Sequence, residues 1–161
     1  MKNRIKGSLF VNNMNISFNN GIGYIEKDWR YSFPKEYIWC QGNNFNNTGV
    51  SFMLSIANIP FKLFSFRGFI CSLIIDNKEY RFATYNGAKI VKSDISNNSV
   101  NVILKKNDYL LDVNAVCEEG FRLKAPVNGD MSRDIIKSIC GEINIKLKRR
   151  NKFIFSDKSK T

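Results

Sequence analysis

The sequence predicts an all-β fold: an antiparallel β barrel or curved sandwich with at most one or two short helices. Three observations carry this. Apolar and polar residues alternate with period two over Val100–Lys105, Tyr109–Cys117 and Glu142–Lys148, the pattern of half-buried strands. Turn residues recur at roughly ten-residue spacing, as in all-β barrels and sandwiches. No linker, long repeat or low-complexity segment divides the 161 residues, so the chain reads as one domain with length enough for a real core.

The elements follow in order. Met14–Phe18 and Ile22–Asp28 flank Asn19-Asn20-Gly21, a hairpin signal. After the break at Pro34 comes Tyr37–Phe45, and Val50–Ile59 stops at Pro60, which cannot donate to a ladder. Gly68–Asp76 and Glu79–Tyr85 join through Asp76-Asn77-Lys78, and Asn86-Gly87 turns the chain into Ala88–Ile95. Val100–Lys105 and Tyr109–Cys117 join through Lys106-Asn107-Asp108. Phe121–Val127 ends at Asn128-Gly129, and Gly141–Lys148 and the Phe153/Phe155 pair close the chain. One helix is expected, over Met131–Ser138, with Asp130 as its cap and Ile135, Ile136 and Ile139 at helical spacing. Ile70–Ile75 is apolar on both faces, as for a strand sandwiched between two layers or lining a greasy cavity.

The formal net charge of +11 raises the question of nucleic acid. The basic residues are dispersed, the recognition modules with clear signatures are absent, and an Asn/Ile/Lys-rich composition is typical of AT-rich genomes, as in many bacteria. The one dense cluster, Lys146, Lys148, Arg149, Arg150 and Lys152, alternates with apolar residues like a solvated strand face running into a turn. No nucleic-acid partner is therefore expected. The absence of histidine removes His-dependent triads, His-ligated zinc and imidazole proton shuttles, and no metal site is expected. Cys40, Cys71, Cys117 and Cys140 form no CxxC pair and sit among apolar strand residues, so they read as reduced, mostly buried thiols. No apolar run is long enough for a transmembrane helix and no secretory signal is visible, so the expected location is cytoplasmic.

The most informative run is Gly21–Phe45, where Glu26, Lys27 and Asp28 precede a segment with Tyr37, Trp39, Gln41, Asn43 and Phe45 at alternate positions. Residues two apart share a strand face. The second segment therefore forms a ribbon that is aromatic at its ends and amide in its middle, the make-up of a ligand pocket. Tyr24, Glu26 and Asp28 share one face, and Ile25, Lys27 and Trp29 the other. A carboxylate facing a partly apolar cavity would have its ionised form disfavoured and could donate a proton. The alternative is a structural ion pair or turn cap with Lys27, Arg30 or Lys35, which spacing alone favours. Gln41 and Asn43 suit a hydroxyl or quinol oxygen and equally suit backbone at a barrel rim. Trp39 by itself reads more readily as core.

These residues resemble a known signature. Gly23-Tyr24-Ile25-Glu26-Lys27-Asp28-Trp29, then Ser32-Phe33-Pro34, then Trp39, Gln41, Asn43 and Phe45, are similar to the pattern of the tocopherol cyclase family. So are Ser55–Pro60, Phe66–Ile70, Phe82–Ile90, and Leu123–Pro126 with Gly129-Asp130-Met131. Three positions depart from it. Arg30 stands where the family usually has Gly, Tyr37 where it has the first Trp of a W-x-W pair, and Asn44 where a His often follows the Asn.

The resemblance implies a calycin-like, lipocalin-related fold. It also implies that residues 1–161 form a single β-barrel domain corresponding to the C-terminal half of a longer two-barrel protein. In activity it implies cofactor-free ring closure of a prenylated quinol, an isomerisation: an acid protonates a trisubstituted alkene and the phenolic oxygen attacks the tertiary cation. Glu26 or Asp28 would be the acid, Trp29 and Trp39 the aromatic walls, and Gln41 and Asn43 the quinol holders. Tyr24 and Phe45 would border the ligand, and Tyr85 would add a hydroxyl. Two other readings stand beside it: a non-catalytic binder of an isoprenoid, lipid or other apolar small molecule, and a structural half-domain that needs a separate N-terminal partner. The expected partners are an apolar small molecule, a membrane touched peripherally, and a separate N-terminal domain or oligomer partner.

Overall fold

Asparagine-rich turns set the architecture. In the computed structural model, which describes residues 3–27, 31–61, 63–96 and 98–160, Asn12-Asn13, Asp76-Asn77, Asn128-Gly129 and Arg150-Asn151 all have positive φ at both positions. That is the requirement of two-residue hairpin turns whose twist matches the strands, and Asn and Gly meet it at least cost. The strands in order are β1 (Asn3–Ile5), β2 (Ser8–Val11), β3 (Met14–Ser17), β4 (Gly21–Gly23), β5 (Tyr37–Gly42), β6 (Val50–Phe61), β7 (Phe64–Ile75), β8 (Lys78–Ala83), β9 (Lys89–Ile95), β10 (Ser99–Lys106), β11 (Tyr109–Cys117), β12 (Phe121–Val127), β13 (Asp130–Lys137), β14 (Gly141–Arg149) and β15 (Lys152–Lys160). The only helical element among the described residues is a 3-10 turn at Thr84–Asn86, closed by Gly87 at φ 80°. No helix among them is long and apolar enough to cross a membrane.

Two antiparallel sheets form the body. One runs β5-β6-β7-β8 and the other β15-β14-β11-β10-β9. Their facing sides pack into one core. Phe52, Leu54, Ile56, Phe69, Cys71, Leu73 and Phe82 come from the first sheet, and Val102, Leu104, Leu111, Val113, Ala115, Ile143, Ile145 and Leu147 from the second. Each set alternates along its strands and aligns across them, as with Leu54 opposite Cys71 and Val113 opposite Ile145. The sheets meet at one edge through the short connection from β8 to β9. At the other edge Phe45 forms a bridge with Ser159. There Gly42 is required: a Cβ on it would lie 2.9 Å from Ser159 Oγ and 3.3 Å from Ile143 Cδ1. Asp157 of β15 clamps the same edge by accepting from Asn46 Nδ2 at 2.8 Å and Asn47 N at 2.9 Å. The sheets do not close into a continuous barrel, so the fold is a curved sandwich. Its interior is filled with side chains, and the apolar stretch Ile70–Ile75 is a sandwich strand with Cys71 and Leu73 fully buried.

Several sequence expectations are corrected. Met131–Ser138 is not a helix. It lies in β13, which pairs with β12 from Phe121↔Lys137 to Val127↔Asp130. The Asn128-Gly129 turn fixes a hairpin, Lys124 and Asp134 pair across it at 2.7 Å, and Ile136 is left exposed where a helix face would have buried it. The expected strand Ile22–Asp28 stops at Gly23, and Asp28 lies outside the described residues. Met14–Phe18 does not pair with it. β3 pairs with β2 around Asn12-Asn13, and β4 pairs with β1, so Asn19-Asn20-Gly21 interrupts one long arm. Tyr37–Phe45 is strand only to Gly42. The basic cluster is the solvated face expected: Arg150 pairs with Asp108 at 2.8 Å and Lys148 lies 4.5 Å from the Phe153 ring centre.

The cysteines divide. Cys71 is buried and Cys40 half-buried, but Cys117 and Cys140 are exposed, contrary to the expectation of mostly buried thiols. Cys117 has core-face parity with Val113 and Ala115, but it ends β11 where the opposite sheet no longer covers it. Burial pushes the Cys40 thiol up to about 11, with Cys117 adding to the effect, and burial raises Cys71 further. Thiolate is the reactive form. A thiol reagent near neutral pH should therefore label Cys117 and Cys140 quickly in the folded protein, and Cys40 and Cys71 only after denaturation. Fast labelling of all four would refute this division.

Candidate functional site

The motif residues gather on the outer face of the four-stranded sheet. Parity in β5 sends Ile38 and Cys40 to the core and leaves Tyr37, Trp39 and Gln41 on the opposite face, across from Ala57, Ser55 and Met53 of β6. That face is unusually polar for a sheet so well covered. Ser51, Ser72 and Met53 on it are all buried, and the two serines are hydrogen-bonded, Ser51 to Asn43 Oδ1 and Ser72 to Glu79 Oε1 at 2.6 Å.

The segment after β4 brings its acid to this face. Glu26 Oε2 accepts from Tyr24 Oη at 2.5 Å and from Trp39 Nε1 at 3.3 Å. The Tyr24 and Trp39 rings meet edge to face with centroids 6.1 Å apart. The sequence expected Tyr24, Glu26 and Trp39 to share a site, and the structure brings them together without the strand that the face argument assumed. Glu26 is exposed and Trp39 is 38% exposed, so this is an open face, not an enclosed pocket.

The other predicted residues separate. Gln41 shares the face with Trp39. Asn43 sits just beyond the strand end with its amide oxygen bound to the buried Ser51 hydroxyl, a side-chain partner and not the backbone that the structural alternative supposed. Phe45 leaves the ribbon altogether: it is 5% exposed and belongs to the core between the sheets. Tyr85 lies beyond β8, three strands from β5, or roughly 14 Å at the usual strand spacing. Its contact is with Arg81, whose guanidinium it helps to hold protonated, second to Glu79. Asp28 and Trp29 lie outside the described residues.

Two basic residues of β13 also stand at this face and were missed, because that stretch was read as a helix. Lys137 Nζ stands 5.4 Å from the Trp39 ring centre. Arg133 Nη2 donates to Phe33 O at 3.1 Å and Pro34 O at 2.9 Å. Its Nε is buried without a hydrogen-bond partner among the described residues, and its charge partly offsets the rise that burial gives the Tyr37 phenol. The loop that carries Ser32-Phe33-Pro34 is thereby tied to the β12–β13 hairpin: Phe33 N donates to Pro126 O at 3.1 Å, Gly129 N to Tyr31 O at 2.8 Å, and Asn128 N to Ser32 Oγ at 2.8 Å. The motif's separated pieces thus converge, with the loop at 31–34 and the hairpin walling one side of the Trp39 face.

Chemically, the face offers a carboxyl group held by two donors on one oxygen, an indole edge, a phenol and an amide. One face of the indole is already taken by an ammonium group. A comparison with curated proteins and with solved structures gives no match, whereas the family described as tocopherol cyclase-like matches over residues 2–161. With the match spanning essentially the whole chain and the motif residues converging on one face, the chain belongs to the tocopherol cyclase-like family.

Proposed function

We propose that the chain takes part in cofactor-free cyclisation of a prenylated quinol, an isomerisation in which Glu26 is the acid. The observation that supports this reading is the Tyr24–Glu26–Trp39 cluster, which sets a carboxyl group against an aromatic wall beside Gln41. In the reaction the Glu26 proton adds to the less substituted alkene carbon and leaves a tertiary cation. The phenolic oxygen attacks that cation, and the phenol proton goes back to the carboxylate or to water. Atoms balance without an oxidant or metal. Trp39 would stabilise the cation through its π face, and Lys137 must then withdraw from the ring or the cation must form on its other side. Asp28 and Trp29 remain proposed members of the site as second acid and second wall. Asn43 and Tyr85 are proposed only as peripheral contacts.

A second reading rests on the openness of the face. Exposed Glu26 and Trp39 would admit water to a carbocation. We propose that this chain is a C-terminal half whose face is closed by a separate N-terminal domain or oligomer partner. Alone it would bind a prenyl quinol or another apolar small molecule with little turnover. The test is to incubate the chain, alone and with a candidate N-terminal partner, with a prenylated hydroquinone. Chromanol is followed by chromatography and binding by quenching of tryptophan emission. We expect binding by the chain alone and chromanol chiefly when the face is covered. Chromanol without binding to the Trp39 face, or neither signal in either sample, would overturn the reading.

A further inference from the structure

The β6–β7 hairpin outruns its sheet. β5 pairs with β6 only as far as Ala57, and β8 pairs with β7 only from Ile70. The strands between continue as an isolated pair, with Ile59↔Phe66 and Phe61↔Phe64 on one side of the ribbon. The four residue pairs from Asn58↔Arg67 to Phe61↔Phe64 project about 13 Å. The end is apolar: Leu63 is fully exposed, Phe64 is 61% exposed, and Phe61 and Phe66 are exposed as well. The Phe61 and Phe64 rings pack against each other at 5.3 Å, which makes a blunt aromatic wedge. From Ile59 to Arg67 the sequence holds Lys62 and Arg67 and no acidic residue.

Behind the wedge lies a basic groove. An open cavity of about 520 Å³ between β7 and β9 is lined by Arg67, Lys89 and Lys92 among apolar and small residues, with no carboxylate among the described residues that line it. Arg67 belongs to both features, standing at the base of the wedge and at the mouth of the groove. An aromatic end followed by a cationic shelf is the arrangement that buries apolar groups about 5–10 Å into the headgroup boundary while cations meet anionic lipid.

We infer that the β6–β7 hairpin is a membrane-docking device. Phe61, Leu63, Phe64 and Phe66 enter the interface of an anionic bilayer, and Arg67, Lys89 and Lys92 bind its phosphate headgroups. A protein partner fits less well. Three aromatic side chains of roughly 150–250 Å² each, about half exposed, give the wedge about 300 Å² of aromatic surface, below the roughly 800 Å² per partner of a stable interface. The net charge of +11 complements an anionic surface. The inference does not depend on the cyclase reading, because its experiment contains no quinol.

The test uses the full chain with vesicles of phosphatidylcholine alone and of phosphatidylcholine with phosphatidylglycerol. The parent should co-sediment with the anionic vesicles and release as salt is raised. The triple variant Phe61→Ser, Phe64→Ser, Phe66→Ser should lower partitioning by about tenfold or more while its circular dichroism and unfolding midpoint stay at the parent values. Arg67→Glu with Lys89→Glu and Lys92→Glu should abolish the preference for anionic over neutral vesicles. A Phe64→Trp reporter should shift to the blue on binding and be quenched by bromine-labelled acyl chains. If the parent ignores anionic vesicles, or the serine variant partitions as the parent does, the inference fails. It fails as well if the serine variant leaves lipid binding intact and instead dissociates an oligomer in gel filtration, which would make the wedge a protein interface.

Discussion

Glu26→Gln should lower chromanol formation by two to four orders of magnitude, the usual size of a general-acid contribution, in whichever assembly turns over. Glutamine keeps the length of the side chain and can still accept from Tyr24 Oη and Trp39 Nε1, the two donors that hold Glu26 Oε2, so the architecture of the face should survive. What is lost is the proton. The effect should therefore fall on kcat, with quinol binding, read from tryptophan quenching, changed by less than about threefold, since only interactions specific to the transition state are removed. Tyr24→Phe should be milder, because it removes one of two hydrogen bonds that orient the carboxyl group. Asp28→Asn, measured beside them, decides between the two acids that the motif offers. Full activity in Glu26→Gln with loss in Asp28→Asn would move the acid two residues along. Activity that survives both substitutions would remove acid catalysis by this motif and leave the binder reading in place.

Much of this was legible in the sequence because strands declare themselves by parity. Leu111, Val113 and Ala115 against Ile143, Ile145 and Leu147 alternate without a break, and the structure pairs them in register across two strands. The turns at Asp76-Asn77, Asn107 and Asn128-Gly129 were equally legible, but Asn19-Asn20-Gly21 was read as a hairpin whose two flanking strands pair elsewhere. Asn12-Asn13 and Arg150-Asn151 were not read as hairpins, yet both carry positive φ. The parity of Trp39 and Gln41 held because β5 extends through both, but extrapolating it to Phe45 failed, because the strand ends at Gly42 and the chain folds over the sandwich edge to bridge Ser159. Tyr24 and Glu26 came together for a reason that parity did not supply: Oη and the carboxylate find each other in an irregular segment. Arg133 and Lys137 escaped notice because three isoleucines at 135, 136 and 139 imitate a helical stripe, while a two-residue turn just upstream commits the same residues to a hairpin. Local periodicity is a weak guide next to such a turn, since a single strand pairing satisfies more backbone groups than a lone helical turn.

Phe52→Ala should cost about 3–5 kcal/mol, the range for truncating a fully buried aromatic, and should be among the most damaging single changes in the chain. Phe52 is 0% exposed and stands between Gly42 on β5 and Leu73 on β7. Gly42 contributes no side chain there, because Ser159 and Ile143 from the other sheet press against it. Gly42 therefore has no side chain of its own to swing into the space that the Phe52 ring would leave, and the cavity should collapse only in part. Against a typical domain stability of about 5–15 kcal/mol the loss is large enough to shift the urea midpoint strongly while leaving the slope near the parent value, since the surface exposed on unfolding barely changes. Phe64→Ala is the matching control. It removes the same ring from the exposed hairpin end and should stay within about 0.5 kcal/mol of the parent. The pair separates the two kinds of phenylalanine in this chain, those that hold the sheets together and those that project from them. Equal destabilisation by both substitutions would mean that the hairpin end is packed in solution and that the core does not sit between the two sheets as described.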